Sequence, residues 1–320
     1  KMKILIADSI PQPHADKLAS NGHVLTLDPS LDGDSLVDAI ADHEILIVRS
    51  TRVTDATLSA ATALKLVIRA GAGTNTIDKT RAAELDIRVC NVPGANAVAV
   101  AELVMGLIIS IDRHIADNVY DLRNQVWNKK RYSVARGLYG QNMGILGLGA
   151  IGLAVAERAK AFGMNLYSVA KQGRSEAQAK RIAEAGFSLL ESQQAVLETC
   201  DVITLHMPAS GESTILVNAD FLGQMKEGAI LINTARGELI DESALIAAMD
   251  SRGIRAGLDV YNNEPGAGEN TFNSTLARHP RVCGTHHIGA STDQAQAAVS
   301  DGVLDVIESF QHGSLIYCVN

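Results

Sequence analysis

Cysteine is scarce in this chain of 320 residues, and the few cysteines show no pairing pattern. Cys90, Cys200, Cys283 and Cys318 include no Cys-x-x-Cys pair, and no histidines or cysteines cluster at the spacing of metal ligands. We therefore expect no metal site. Scattered cysteines of this kind are typical of buried apolar thiols in a reducing cytosol, which predicts a cytoplasmic protein.

Long apolar runs and long basic runs are also missing. The nearest candidate for a membrane span, Leu103–Ile111, is too short, because a span needs roughly 20 apolar residues. The opening residues Lys3–Ala7 predict a first strand and not a secretory signal. A formal net charge of −8 without a basic run argues against nucleic acid as the main partner. The length predicts two globular domains.

Short apolar runs alternate with amphipathic helical patterns along most of the chain. This βαβ rhythm predicts parallel sheets with helices on both faces. The predicted strands are Lys3–Ala7, Val24–Leu27, Glu44–Val48, Leu64–Arg69, Arg88–Asn91, Met143–Leu146, Asn165–Val169, Phe187–Leu190, Asp201–Leu205, Ala229–Asn233, Arg255–Val260 and Arg281–Cys283. The pattern also predicts a long helix from Ala97 to about Leu122 and a late helix over Gln294–His312.

A glycine-rich turn lies between the predicted strand Met143–Leu146 and the helical pattern Leu153–Phe162. Its sequence is Gly147-Leu-Gly-Ala-Ile-Gly152. The three glycines suit a tight turn, a close approach of a pyrophosphate and close packing of helix on strand, and the helix N–H groups face the anion. We predict a dinucleotide site formed by Gly147, Gly149, Ala150, Ile151 and Gly152; an ordinary glycine turn is the alternative.

Eight motifs occur in one order along nearly the whole chain. They are Arg69-Ala-Gly-Ala-Gly-Thr-Asn-Thr-Ile-Asp78, Asn91-Val-Pro-Gly-Ala-Asn96, Ala99-Val-Ala-Glu102, Gly147 to Gly152, His206-Met-Pro208, Ile232-Asn-Thr-Ala-Arg-Gly237, Gly257-Leu-Asp-Val-Tyr261 with Glu264-Pro265, and His287-Ile-Gly-Ala-Ser-Thr292. In this order they resemble the D-isomer-specific 2-hydroxyacid dehydrogenase family, and most closely its D-3-phosphoglycerate dehydrogenase branch.

The resemblance implies an α/β fold of two doubly wound parallel-sheet domains. A Rossmann-type nucleotide domain, residues 99–287, is inserted into a flavodoxin-like substrate-binding domain formed by residues 1–98 and 288–320. Family members are usually dimeric through the nucleotide domain and its long helix, so the resemblance implies a homodimer. Longer members carry a C-terminal regulatory domain beyond the point where this chain stops, and we expect no serine feedback through such a domain.

Three residues match the family's catalytic positions. Arg236 follows a predicted strand, where a guanidinium can bind a substrate carboxylate and polarise the carbonyl. His287 is the expected acid/base, because an imidazole gains and loses a proton near neutrality, and Glu264 is expected to orient it and favour its charged form. His286 stands where many members have proline, so an exchange of roles between the two histidines stays open.

The cofactor is expected to be NADP(H), with NAD(H) as the alternative. An NAD site usually ends its second strand with an acid that binds the ribose, but Ala170 stands there and the cations Lys171 and Arg174 follow. These cations suit a 2′-phosphate. The other cofactor-binding residues implied by the resemblance are His206, Met207, Pro208, Thr234, Ala235 and Asp259, the last through the nicotinamide carboxamide.

The predicted substrate residues lie in the first part of the chain. Arg49, Ser50 and Arg69 match the branch's phosphate-binding pattern, while the main-chain N–H groups of Ala72 and Gly73 suit a carboxylate in a pocket that Asn96 is expected to line.

The substrate is therefore expected to be 3-phosphoglycerate or 3-phosphohydroxypyruvate. The NADP signal favours the alternative, an NADPH-dependent glyoxylate or hydroxypyruvate reductase. A dinucleotide-sensing, corepressor-like binding protein is the alternative from another class.

Overall fold

The computed structural model describes residues 1–208, 215–265 and 270–320. Its strands are β1 (Lys3–Ile6), β2 (Val24–Leu27), β3 (Ile45–Val48), β4 (Leu66–Arg69), β5 (Arg88–Cys90), β6 (Asn142–Leu146), β7 (Asn165–Val169), β8 (Ser188–Leu190), β9 (Val202–Leu205), β10 (Ile230–Asn233), β11 (Arg255–Leu258) and β12 (Val282–Gly284).

Helices follow most of these strands. They are α1 (Gln12–Ser20), α2 (Leu36–Ala39), α3 (Asp55–Ala60), α4 (Lys79–Glu84), α5 (Ala97–Arg113), α6 (Ile115–Arg123), α7 (Lys129–Tyr132), α8 (Ala150–Ala161), α9 (Glu176–Ala185), α10 (Gln193–Thr199), α11 (Ala219–Gln224), α12 (Glu242–Arg252) and α13 (Asp293–Gln311), with a 3₁₀ turn at Gly237–Leu239. None of the helices in the described part of the chain combines the length and hydropathy of a membrane span.

Unit 1 consists of Lys1–Asn96 and Ala290–Asn320. Its five strands are all parallel, in the order β2-β1-β3-β4-β5, which is the flavodoxin-like order. The central strands β1, β3 and β4 are apolar along almost their whole length because helices cover both faces of the sheet.

Unit 2 consists of Ala97–Gly289. Its seven strands are all parallel, in the order β12-β11-β10-β9-β6-β7-β8. Counted from β6, this is the Rossmann order 3-2-1-4-5-6 with a seventh strand added at one edge. The predicted fold class is confirmed: the chain forms two doubly wound parallel sheets. The division at 96/97 and 289/290 lies two residues from each predicted boundary.

The prediction of one long helix from Ala97 to about Leu122 is wrong. The helix is broken at His114, which has a left-handed φ of 52°, so that α5 ends at Arg113 and α6 begins at Ile115. The side-chain amide of Asn118 donates to the carbonyl oxygens of Arg113 (3.3 Å) and His114 (2.8 Å) and so satisfies groups that a continuous helix would use internally. Helix α5 is mostly buried, whereas α6 has no buried residue.

Close packing of α5 on β11 depends on Gly257. A Cβ atom there would lie 2.6 Å from Cδ1 of Ile232, 3.1 Å from Cδ1 of Ile111 and 3.2 Å from Cβ of Leu107. Ile111 and Leu107 belong to α5, so the lack of a side chain on Gly257 lets this helix pack closely against the sheet.

We predict that Gly257→Ala lowers the free energy of unfolding by about 1–3 kcal/mol, because the added methyl group overpacks this contact. Urea unfolding followed by circular dichroism measures the change. The matched control is Gly106→Ala in α5, where the new Cβ meets no described heavy atom within 4 Å apart from its chain neighbours and the backbone of its own helix, and a small stabilisation is expected. Equal stability of wild type and Gly257→Ala would contradict the packing argument.

Candidate active site

The glycine turn after β6 leaves room for a ligand at the start of α8. Gly147 has φ 102°, and a Cβ there would lie 2.3 Å from the carbonyl oxygen of His206; a Cβ on Gly152 would lie 2.0 Å from the carbonyl oxygen of Gly147. By contrast, no described heavy atom beyond Gly149 and its two chain neighbours lies within 4 Å of the Cβ position on Gly149. Gly149 also gives α8 no side-chain cap, so the helix N–H groups fit the pyrophosphate of a dinucleotide.

Other predicted cofactor residues lie at the same edge of the sheet. His206 contacts the glycine turn through its main chain, its Nε2 lies 2.8 Å from Oγ1 of Thr204, and burial lowers its pKa to about 3, which keeps the ring neutral at pH 7. Met207 Cγ lies 3.0 Å from the Cβ position on Gly147. The hydroxyl oxygen of Thr234 is buried without a hydrogen-bond partner in the described residues, which is typical of an atom that meets a ligand.

The end of β7 carries no carboxylate. Ala170 directly follows the strand, and its N–H donates to the carbonyl oxygen of Leu190 (2.7 Å). Lys171 is exposed, and the Arg174 guanidinium donates to the carbonyl oxygen of Val169 (3.1 Å), which folds the basic loop back on the strand end. Lys171 and Arg174 therefore both lie in the loop that follows β7 at the carboxyl edge of the sheet.

The turn that carries Arg236 is held by Asn233. Asn233 is fully buried at the end of β10; its amide nitrogen donates to the carbonyl oxygen of Arg236 (2.8 Å), and its Oδ1 accepts from the N–H of Ala235 (3.0 Å). The half-buried Arg236 side chain donates to the carbonyl oxygen of Ala235 (2.6 Å). These contacts fix a guanidinium just beyond the carboxyl end of a central strand, where ligands of such sheets bind.

His287 and Glu264 form a direct pair in unit 2. Nδ1 of His287 lies 2.7 Å from Oε2 of Glu264, and Oε1 of Glu264 accepts from the N–H of Tyr261 (2.9 Å). His287 has a left-handed φ of 52°, which is uncommon outside glycine and is typical of constrained positions at functional sites. Glu264 bonds to His287 and, in the described part of the chain, not to the neighbouring His286.

The pKa shifts of His287 and Glu264 favour a protonated imidazole beside a carboxylate, as a proton donor requires. The hydrogen bond to Glu264 raises the pKa of His287 against the opposing effect of burial. Burial works to raise the pKa of Glu264, but the bonds from His287 and from the Tyr261 N–H bring it below its ordinary value. The positive charge of Arg236 also acts, as the smallest of the causes, to lower both pKa values. The arrangement can hold an anion and deliver a proton to it.

Asp259 fastens the segment that carries His287. It is 1% exposed at the end of β11 and accepts from Oγ1 of Thr285 (2.6 Å), the N–H of Ile288 (2.8 Å) and the N–H of Gly289 (2.9 Å). The predicted contact of Asp259 with the nicotinamide carboxamide stays a prediction. In this structure its carboxylate binds the chain on both sides of His287.

In unit 1, the predicted phosphate-binding residues follow β3. The Asp8 carboxylate accepts from the N–H groups of Arg49 (2.6 Å), Ser50 (3.3 Å) and Thr51 (3.4 Å), and from the Ser50 hydroxyl (3.1 Å). The Ser50 hydroxyl is thus engaged by Asp8, and the Arg49 side chain is left as the part of this loop suited to a phosphate.

The loop after β4 is folded beneath Arg69. A Cβ on Gly71 would overlap Nη1 of Arg69, which donates to the carbonyl oxygen of Ala70 (3.2 Å), so the guanidinium lies over its own loop. The side-chain amide of Asn91 donates to the carbonyl oxygen of Ala72 (2.7 Å). Within the described residues, the N–H groups of Ala72 and Gly73 donate to no other residue, as an anion site requires. Asn96 is the last residue of the first segment of unit 1.

Sequence reasoning missed the residues that position the site, among them Asp8, Asn233 and Tyr261. For Tyr261 the sequence does contain an indication, namely two glycines that lie against this tyrosine in the fold. A Cβ on Gly237 would lie 2.2 Å from the main-chain carbon of Tyr261, and a Cβ on Gly284 would lie 2.1 Å from its hydroxyl oxygen. Both glycines make space for the tyrosine whose N–H holds Glu264.

Comparison with known proteins shows which family the chain is similar to. Residues 105–289 match the sequence profile described as D-isomer specific 2-hydroxyacid dehydrogenase, NAD binding domain. The D-3-phosphoglycerate dehydrogenase of Methanocaldococcus jannaschii is 37% identical over 98% of this chain and 58% of that protein. The hydroxypyruvate reductase of Thermotoga maritima is 34% identical over 96% of this chain and 97% of that protein. The chain spans little more than half the length of several relatives, including 56% of the Bacillus subtilis D-3-phosphoglycerate dehydrogenase.

Solved structures give the same result. A glyoxylate reductase from Paecilomyes thermophila is 28% identical, with a TM-score of 0.85 over 100% of this chain and 98% of that chain. The predicted resemblance is confirmed: this chain belongs to the D-isomer-specific 2-hydroxyacid dehydrogenase family.

Proposed function

We propose that this chain is an NAD(P)-dependent oxidoreductase that interconverts a 2-oxo acid and a D-2-hydroxy acid. The observation that carries the proposal is the His287–Glu264 pair, with 2.7 Å between Nδ1 and Oε2. The Arg236 guanidinium, just beyond the end of β10 in the same unit, is the cation of this proposal. An acid/base imidazole and a guanidinium meet the two needs of the substrate, which are a proton at the reacting oxygen and a partner for its carboxylate.

A bound nicotinamide dinucleotide would supply or accept the hydride, and the side chains of this chain handle the proton and the charge. In the reductive direction, protonated His287 donates its proton to the carbonyl oxygen as negative charge develops there. Arg236 binds the carboxylate and polarises the carbonyl. In the oxidative direction, neutral His287 accepts the hydroxyl proton, and Glu264 stabilises the resulting imidazolium.

The preferred substrates in this proposal are 3-phosphoglycerate and 3-phosphohydroxypyruvate. Several relatives, including those from M. jannaschii and B. subtilis, are D-3-phosphoglycerate dehydrogenases. The guanidinium of Arg49 follows β3, and that of Arg69 ends β4, the next strand in the sheet. Both lie at the carboxyl edge, where cations suit a substrate phosphate.

Reduction of hydroxypyruvate or glyoxylate is the second candidate. The T. maritima hydroxypyruvate reductase matches this chain over 97% of its own length. In addition, the N–H groups at positions 49–51 already donate hydrogen bonds to the Asp8 carboxylate. The negative charge of this carboxylate disfavours the binding of a phosphate to the same loop.

We propose NADP(H) as the favoured cofactor, with NAD(H) as the alternative. Support comes from the end of β7, where Ala170 replaces the ribose-binding acid and Lys171 and Arg174 follow. A 2′-phosphate meets no carboxylate at position 170 and finds two cations in the next four residues.

A homodimer remains our expectation. The part of unit 2 around α6 exposes large apolar side chains, with Tyr120 70% and Trp127 82% exposed, and such a surface is typical of a protein interface. Sedimentation velocity distinguishes the dimer from a monomer.

The test of the function is a substrate panel: oxidation of NADPH and of NADH with 3-phosphohydroxypyruvate, hydroxypyruvate and glyoxylate. We expect turnover, with the highest kcat/KM for the phosphorylated acid. Arg49→Ala should lower kcat/KM for the phosphorylated acid and leave that for glyoxylate unchanged. A preference for hydroxypyruvate or glyoxylate supports the second candidate, and no turnover with any oxo acid refutes the oxidoreductase proposal and favours a corepressor-like role.

The acid/base assignment predicts a particular pH dependence. Reduction needs protonated His287, so kcat falls as pH rises through the pKa of that residue. Glu264 raises this pKa, and Glu264→Gln should therefore move the falling limb of the kcat profile to lower pH. His287→Ala should lower kcat by about 10²–10⁴-fold. The matched control is His286→Ala, for which we expect wild-type kcat; the reverse result for the two histidines would exchange their roles.

The cofactor assignment predicts a change in preference. Lys171→Ala combined with Arg174→Ala should lower the ratio of kcat/KM for NADPH to that for NADH by about 10–100-fold, because charge-assisted hydrogen bonds to the 2′-phosphate are lost. Lys180→Ala in α9, which removes an exposed cation, is the control and should leave the ratio unchanged. An unchanged ratio in the double variant refutes the 2′-phosphate contact.

A further inference from the structure

Two of the four cysteines lie opposite each other in unit 1. Cys90 ends β5, and Cys318 belongs to the last residues of the chain; the two form an isolated antiparallel bridge. Both thiols are free. Because the two cysteines are far apart in sequence, the sequence alone does not predict this pairing; it follows from the register of the last residues along β5.

The backbone geometry around the bridge suits a disulfide. The N–H of Asn91 donates to the carbonyl oxygen of Tyr317 (3.2 Å), and the N–H of Val319 donates to that of Val89 (2.8 Å). Cys90 and Cys318 thus form the non-hydrogen-bonded pair between these bonds. In such a pair the Cα atoms lie about 4.5 Å apart and the side chains share a face. That separation falls within the range that a disulfide spans.

The two thiols differ in access. Cys90 is fully buried in the core of unit 1, where burial, followed by the neighbouring Cys318 thiol, raises its pKa to about 12. Cys318 is exposed, and its thiol donates to the carbonyl oxygen of Asn320 (3.4 Å). An external reagent therefore reaches Cys318 first, and Cys90 is the neighbour placed to react with the product.

We propose that Cys90 and Cys318 are a dithiol that is converted reversibly to a disulfide by exchange with a low-molecular-weight disulfide. The thiolate of Cys318 attacks one sulfur of the reagent, whose S–S bond breaks and releases one thiolate. Cys90 then loses its proton to solvent and attacks Sγ of Cys318, which expels the second thiolate; the two released thiolates take up the two protons that the protein thiols lost. Two protein thiols are oxidised to one disulfide, and the reagent disulfide is reduced to two thiols.

The disulfide would link the segment 317–320 covalently to the edge strand of the unit 1 sheet. Strand β5 is an edge strand, and residues 317–320 run antiparallel along it. The Asn320 side chain continues this contact: it donates to the carbonyl oxygen of Ile87 (2.8 Å) and accepts from the N–H of Val89 (2.8 Å). Because unpaired edges invite pairing with other chains, a covalent lock here protects the sheet.

The test uses purified protein treated with oxidised glutathione, followed by alkylation of the unfolded protein. We expect the mass before alkylation to fall by two hydrogen atoms, about 2 Da, and two of the four cysteines to escape alkylation. Trypsin should then yield residues 89–113 joined to residues 282–320. Since the second peptide also contains Cys283, the Cys283→Ser variant is the matched control and should give the same crosslink, reversed by dithiothreitol.

Stability provides the second readout. The oxidised wild type should have a higher Tm than the reduced protein, because the crosslink restricts the unfolded chain. Cys318→Ser should show no shift under the same treatment. Full alkylation of all four cysteines, a mixed disulfide that persists on Cys318, a crosslink to another cysteine, or a lower Tm on oxidation would each overturn the proposal.

Discussion

The buried carboxylate of Asp259 is the contact on which the unit 2 site depends. It lies at the end of β11 and accepts three hydrogen bonds from residues 285–289. A buried carboxylate without donors would cost several kcal/mol, so the chain after β12 is drawn to one path. That path includes the left-handed backbone of His287 and presents its ring to Glu264. The proposed acid/base pair is therefore positioned by a residue that does not belong to it.

The same device occurs elsewhere at the carboxyl edges of both sheets. Asp8 follows β1 and accepts hydrogen bonds from the N–H groups that follow β3. Asn233, at the end of β10, forms hydrogen bonds with the turn that leads to Arg236. Parallel strands end with main-chain groups that have no partner within the sheet. Short polar side chains of the same edge satisfy them and fix the loops that carry Arg49 and Arg236. Each unit thus fixes the main chain of the loops that carry its charged groups, which lowers the cost of reorganisation on binding.

The sequence predicted the strands well because parallel strands covered on both faces are continuous apolar runs. It was wrong about the helix from Ala97 to Leu122, since the helical pattern continues through His114 and gives no sign of a left-handed residue there. Motif order pointed to Arg236, Glu264 and His287, but their positioning by Asp259 and Asn233 depends on contacts between distant strands. The same holds for Cys90 and Cys318, whose pairing follows from the register of the last residues along β5.

The strongly exposed indole of Trp127 has a practical consequence, because it is the single tryptophan of the chain. An isolated subunit should therefore emit as a solvated indole, and melting of either sheet should change its fluorescence spectrum little. Backbone signals are therefore the ones that report unfolding of an isolated subunit. The same indole becomes a sensitive reporter of a different event, since any surface that covers it shifts its emission to the blue while both sheets stay intact.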